Sequence, residues 1–307
     1  MDDLVGLLDT THFRAGLRLG LVALGVGWAL RFVVGRTGPP LPIAGLLIAI
    51  VTVASLFLTE DPLGPTLPAL VAIVVGVFAT RMLGAPGWAH ALAVVPGAAW
   101  LAFGAPLTTL LWVKILMLVL IPVAGYLITD FELRHASRGL GVIFFVLAAL
   151  GMFAAVPDTE QALVIGAASV TIGLLAWPKV AASMGPEGAY VAVAMLVWIA
   201  ASGGEARPPS IVGSAACLGF LLLEPVLVRW RPALLTIADR LRRNWLGAVQ
   251  ASIPQFILVV ICSRIAARFS VMLPAILIVI VGYGLAVTAA WYAARKTHPA
   301  ETAVASL

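Results

Sequence analysis

The chain has little charge. Asp, Glu, Lys and Arg together make up 11% of its 307 residues, against roughly 25% in an ordinary soluble domain. So few charged groups cannot cover a folded domain in water. Cysteine is scarce as well. Cys217 and Cys262 lie in or at the edge of apolar stretches, which argues against a disulfide framework, and no histidine neighbours them to complete a thiolate metal site. His12, His90, His135 and His298 form neither H-x-x-x-H nor H-E-x-x-H. Gly-x-Ser-x-Gly, a Walker-type loop and a DxxD or DDxxD cluster are also missing. We therefore expect no cofactor, no metal and no catalytic set. The longest connection, Arg229–Gly247, is too short for an extramembrane domain.

What is abundant is apolar surface. Hydrophobic residues make up 62% of the chain, in runs of about 15 to 24 residues joined by short loops, and about 20 apolar residues cross a bilayer as a helix. The sequence predicts an all-α fold, a polytopic transmembrane helical bundle forming a single integral membrane domain over 1–307. We expect about eleven spans, within a range of about 10–12. They are Leu17–Val34, Pro40–Leu58, Thr66–Thr80, Trp88–Phe103, Leu107–Thr129, Gly139–Val156, Gln161–Trp177, Gly188–Ser202, Ser210–Val228, Ala248–Ser263 and Val271–Ala294. Thr66–Thr80 and Gly188–Ser202 are short and must borrow loop residues. Pro and Gly mark the joints, as in Gly84-Ala85-Pro86-Gly87. Met1–Gly16 has neither the basic start nor the cleavage site of a signal peptide, so Leu17–Val34 is expected to be a retained first helix.

Alternating the spans with the N-terminus outside places Arg31, Arg36, Arg81, Arg134, Arg138, Lys179, Arg229, Arg231, Arg240, Arg242, Arg243, Arg295 and Lys296 on the inner side. Arg14, Arg18, Arg207, Arg264 and Arg268 fall outside. The positive-inside rule then orients the chain with a cytoplasmic C-terminus, and we expect the bacterial cytoplasmic membrane. On this reading the net charge of +5 records orientation rather than nucleic-acid binding. Two blocks, 40–129 and 139–228, share an acidic outer turn, a Pro-Gly joint and a Pro-containing helix, displaced by about 100 residues. Four helices separate the marks, so a repeat would be parallel. The competing reading is that Ala/Gly/Val-rich spans resemble one another by composition.

Ionisable groups inside spans are the candidate site residues, because charge in hydrocarbon is costly. Lys114 lies about two turns inside its proposed span, where it could bind an anionic headgroup or snorkel. Glu224 precedes Pro225, which frees backbone carbonyls beside a carboxylate, although the basic residues following it offer a salt bridge. Gln255, beside Pro254, would seek a partner across helices. Lys114, Glu224 and Gln255 are thus the expected substrate-binding residues. Lys114 and Glu224 should differ in depth by roughly 10 Å or more, so direct contact is not expected. Asp130 and Glu132 would face different directions on a helix, and interfacial solvation is favoured over catalysis for them. In the connection 229–247, Leu234, Ile237, Ala238, Leu241 and Trp245 make one apolar face among Arg229, Arg231, Arg240, Arg242 and Arg243. This reads as an amphipathic helix on the cytoplasmic leaflet that contacts anionic lipid or a protein partner.

Three functions fit this pattern unequally. The first is a carrier or flippase for a small amphiphilic or lipid-linked substrate. The second is a non-catalytic subunit or scaffold of a larger membrane assembly. The third, an intramembrane lipid-modifying enzyme, needs converging acid, base or metal groups that the sequence does not offer. The expected partners are membrane lipids, anionic at the cytoplasmic face, and a protein subunit, with no nucleic acid.

Overall fold

The computed structural model describes residues 10–34, 43–59, 66–104, 111–134, 140–155, 160–174 and 184–203. Nearer the C-terminus it describes 212–213, 216–219, 222, 226, 257–258, 260–266, 268–269 and 271–297. Among the described residues the structure is all-helical, with no strand. The long helices are α1 (Thr11–Val34), α2 (Ile43–Leu58), α3 (Thr66–Met82), α4 (Gly87–Gly104), α5 (Leu111–Arg134), α6 (Leu140–Ala155), α7 (Glu160–Gly173), α8 (Gly185–Gly203) and α9 (Met272–Thr297).

Among the described residues, four stretches are long and apolar enough to cross a membrane, judged by length and composition: Thr11–Leu30, Gly87–Gly104, Leu111–Glu132 and Gly185–Ser202. Ile43–Leu58, Thr66–Met82, Glu160–Gly173 and Met272–Thr288 are shorter apolar helices. Large apolar side chains also cover the outside of the bundle. Trp28 and Phe32 of α1, Val75 and Phe78 of α3 and Ile115 and Val119 of α5 are all exposed. A surface as apolar as its interior is compatible with an integral membrane protein.

The helix ends explain where the chain turns. The Thr10 hydroxyl accepts the N–H of Phe13 at 3.3 Å, capping α1. Past Met82, the N–H of Ala85 donates to the carbonyl of Thr80 and that of Gly84 to the carbonyl of Arg81, each at 3.0 Å. Gly84 has φ 64°, the left-handed glycine of a Schellman ending. Hydroxyls inside helices bond back to their own backbone, as from Ser55 to the carbonyl of Thr52 at 2.7 Å and from Thr129 to that of Gly125 at 2.8 Å. A polar side chain is thereby satisfied without leaving the apolar interior.

The arrangement is built around α8, which packs against α2, α3, α4, α5 and α6. Every residue from Gly188 to Ala201 is buried, so α8 has no outward face. Small residues allow this close approach. A Cβ on Gly45 would strike the carbonyl of Met184 and lie 3.0 Å from the Cα of Gly188, so α2 and α8 cross backbone to backbone. A side chain on Gly125 of α5 would overlap the Tyr190 ring. Outside this core, α1 lies along α7, with Gly16 at Val164 and Gly20 at Ala168. Both numbers rise together, so these two helices run parallel.

Candidate functional site

Polar side chains gather where α8 begins, here called its foot. Glu132, near the end of α5, is 6% exposed. Its two carboxylate oxygens accept the N–H groups of Met184 and Gly185, each at 3.3 Å. Those donors stand at the start of α8, where a helix leaves its first N–H groups to acceptors outside it, and a negative charge there also complements the helix dipole. Sequence reasoning favours solvation for Glu132. The structure buries it instead, because the N-terminus of an enclosed helix needs an acceptor that water cannot supply.

One turn on, Glu187 accepts two hydrogen bonds from Nη1 of Arg81, at 2.9 and 3.1 Å. Arg81 stands in the last turn of α3 and Glu187 in the first turn of α8, so the pair ties two helices at one level. The Glu187 side chain is 16% exposed and that of Arg81 46%, which makes the carboxylate the withdrawn partner.

His90, in the first turns of α4, is buried, and neither Nδ1 nor Nε2 has a hydrogen-bond partner. Both Arg81 and Glu187 act on its ring electrostatically. The Tyr190 hydroxyl, one turn above Glu187, is likewise buried and unpartnered. Its ring rests on Gly125, and Tyr126 covers Gly87 at the start of α4. The ends of α3 and α5 and the starts of α4 and α8 therefore bring Arg81, His90, Tyr126, Glu132, Glu187 and Tyr190 to one end of the bundle.

The opposite end, the head, is held differently. Nε2 of Gln161 donates to the Thr59 hydroxyl at 3.3 Å. His12 lies 3.6 Å from a Glu160 oxygen, with both side chains well exposed, and the Phe13 and Phe153 rings are 5.8 Å apart.

Lys114 occupies the first described turn of α5, at the head, with its ammonium 5.9 Å from the centre of the Phe103 ring. This is a cation–π arrangement at the bundle surface. Glu224, Gln255, Arg229, Arg231, Arg240, Arg242 and Arg243 lie outside the described residues, as does the whole connection 229–247. Cys217 and Cys262 are free, and the Cys217 thiol donates to the Ser263 hydroxyl at 3.5 Å. Among the described residues, no group of three His, Cys, Asp or Glu is placed to hold a metal.

Sequence reasoning missed the foot cluster. His90 falls inside the proposed span Trp88–Phe103 and matches no metal spacing, while Glu187 lies just outside the proposed span Gly188–Ser202. The usable signal was an acidic residue in the first turn of an apolar helix, the position that the helix dipole favours. No family model, curated protein or solved structure matches the chain.

Proposed function

We propose that the chain is a polytopic carrier or flippase of about eleven spans, moving a small amphiphilic or lipid-linked substrate across a bacterial cytoplasmic membrane. In this reading the N-terminus is outside, the foot of α8 faces the cytoplasm, and the amphipathic connection 229–247 lies on the same anionic surface. The observation that carries the reading is the foot itself. An enclosed helix rests there on ties that can be made and broken, Glu132 to its N-terminus and Arg81 to Glu187. Two buried polar side chains beside them, His90 and Tyr190, have no partner in this arrangement. Lys114 at the head would meet an anionic headgroup, and Glu224 and Gln255 would supply further polar contacts along the path.

The repeat forms part of this proposal in a limited form. Gly84 and Gly185 take left-handed φ values of 64° and 65°, at the two Pro-Gly joints that the blocks share. Among the described residues, the extensive packing of α3 on α4 has no counterpart of similar extent between α7 and α8.

The test is reconstitution into vesicles containing a fluorescent phospholipid or, in parallel, a fluorescent polyprenyl phosphate, with movement between leaflets read by quenching from outside. Movement dependent on the protein and lost in Lys114→Ala is the expected result. Protein-containing vesicles that behave as empty ones with both probes would remove the carrier reading.

The second reading is a non-catalytic subunit of a membrane assembly. The backbone contact of Gly45 with Gly188 and the full enclosure of Gly188–Ala201 favour it, since they suit a rigid scaffold. Purification in gentle detergent separates the two readings. A stoichiometric protein partner supports the subunit, and a single species retaining one lipid supports the carrier.

A further inference from the structure

A buried imidazole without partners is an unusual thing to find beside an ion pair. A neutral ring has one N–H to donate and one lone pair to fill, and leaving both unused inside a fold is costly. At His90 both nitrogens are sealed from solvent and unpartnered. Arg81 from α3 and Glu187 from α8 both act on the ring electrostatically. Tyr190 follows one turn above Glu187. From α5 come Tyr126, over Gly87, and the carboxylates of Asp130 and Glu132 at that helix's end, with Glu132 engaged by the N-terminus of α8. Because the ring nitrogens are closed off, the ligand that fits without rebuilding the site is the smallest one.

We propose that His90 is a proton-binding site whose loading loosens the tie between α3 and α8. A proton from water adds to the free ring nitrogen, and the ring becomes a cation. That cation repels Arg81 and attracts Glu187, so the carboxylate is drawn from the guanidinium to the imidazolium. One proton is taken up and no other bond changes. The end of α3 is then released from the first turn of α8, while Glu132 still holds the backbone of that turn. Histidine is the side chain suited to this exchange near neutral pH. If the protein is a carrier, the site makes the proton its coupling ion, but proton binding itself does not rest on that reading.

The test uses the full chain in lipid nanodiscs with 15N-labelled histidine, following ring resonances from about pH 5 to 8, the range in which histidine ordinarily changes charge. One titrating resonance should vanish in His90→Gln. Its midpoint should move to lower pH in Glu187→Gln, which removes the attracting charge, and to higher pH in Arg81→Gln, which removes the repelling one. These two variants keep His90 and so remain informative if His90→Gln fails to fold. Hydrogen exchange of the peptide containing Glu187, compared at equal pH, should be faster in wild type than in His90→Gln at the acid end and equal at the alkaline end. A His90 resonance that stays neutral throughout, or that titrates identically in Glu187→Gln, would overturn the site. Equal exchange at the acid end would overturn the loosening. Titration needs no substrate, so a responsive His90 in a protein that moves no lipid would sink the carrier alone.

Discussion

At the foot of α8 the helices are joined by two carboxylates withdrawn from solvent, Glu132 and Glu187. At the head, about 20 Å away along α2 at 1.5 Å per residue, one neutral hydrogen bond, one partly exposed His–Glu contact and two tilted rings do the same task. The difference follows from what each end must hold. The foot contains the N-terminus of a helix that is fully buried from Gly188 to Ala201, and its first N–H groups are received by the buried Glu132 carboxylate. At the head, His12 and Glu160 remain exposed, so water can share in their bonding and the ties need less strength. Buried polar groups are thus placed where an enclosed helix end demands them.

The largest effect that would break this comparison is a loss of α8 itself. Gly188→Leu puts a branched side chain into the Cα of Gly45, where backbone rather than a flexible side chain would have to yield. Overpacking of this kind costs about 1–3 kcal/mol, and more where backbone has to yield, and detergent-solubilised protein should elute as aggregate on size exclusion. A variant with the wild-type elution profile and melting temperature would mean that α2 and α8 do not cross at these glycines. Next in size is Glu132→Ala, which leaves two N–H groups of an enclosed helix end without an acceptor. The expected loss is about 1–3 kcal/mol, measured as a fall in thermal midpoint. Glu132→Gln keeps one acceptor oxygen and should lose less, which separates the hydrogen bonds from the charge.

The helices themselves were largely readable from sequence. Trp88–Phe103 was expected where α4 runs from Gly87 to Gly104, and Gly188–Ser202 where α8 runs from Gly185 to Gly203. Apolar length and Pro-Gly joints suffice for that. The central place of α8 was not readable, because in a chain whose lipid-facing and buried surfaces are equally apolar, periodicity no longer separates inside from outside. Its Ala, Gly and Val residues read as a weak span. The packing shows them to be the small residues that let five neighbours approach. Nor could the pairing of Arg81 with Glu187, 106 residues apart, be foreseen. Lys114 and Glu224 stand in proposed spans, whereas Arg81 falls just after the proposed span Thr66–Thr80, among the basic residues counted for orientation.

A smaller effect belongs to the ion pair at the foot. Arg81→Ala removes a partner that is 46% exposed, and half-exposed pairs contribute little, about 0–1 kcal/mol. Its thermal midpoint should therefore fall less than that of Glu132→Ala. Glu187→Ala should cost somewhat more than Arg81→Ala, since it also removes an acidic group from the first turn of α8. If the two substitutions together cost no more than the larger one alone, the pair acts as a unit. Full additivity would mean that the contact contributes nothing as a pair.

The smallest effects are expected at the head. Gln161→Ala removes one neutral hydrogen bond of 3.3 Å. The Thr59 hydroxyl it abandons still donates to the carbonyl of Ser55 at 3.0 Å, so no donor is stranded, and the loss should be at or below about 1 kcal/mol. His12→Ala should be smaller still, because both members of that pair are exposed and His12 carries charge only when protonated. Measured in one detergent and at one pH, the order of midpoints should run from Glu132→Ala, the lowest, through Arg81→Ala and Gln161→Ala to His12→Ala. The physical content lies in the gap between the first and the third. The first removes a carboxylate that accepts two backbone N–H groups and the third a side-chain amide that donates to a hydroxyl, so only the first takes an acceptor away from the start of α8. Should Gln161→Ala cost as much as Glu132→Ala, enclosure of α8 would not be what separates the two ends. The head would then have to carry stability that its exposed, neutral contacts give no reason to expect.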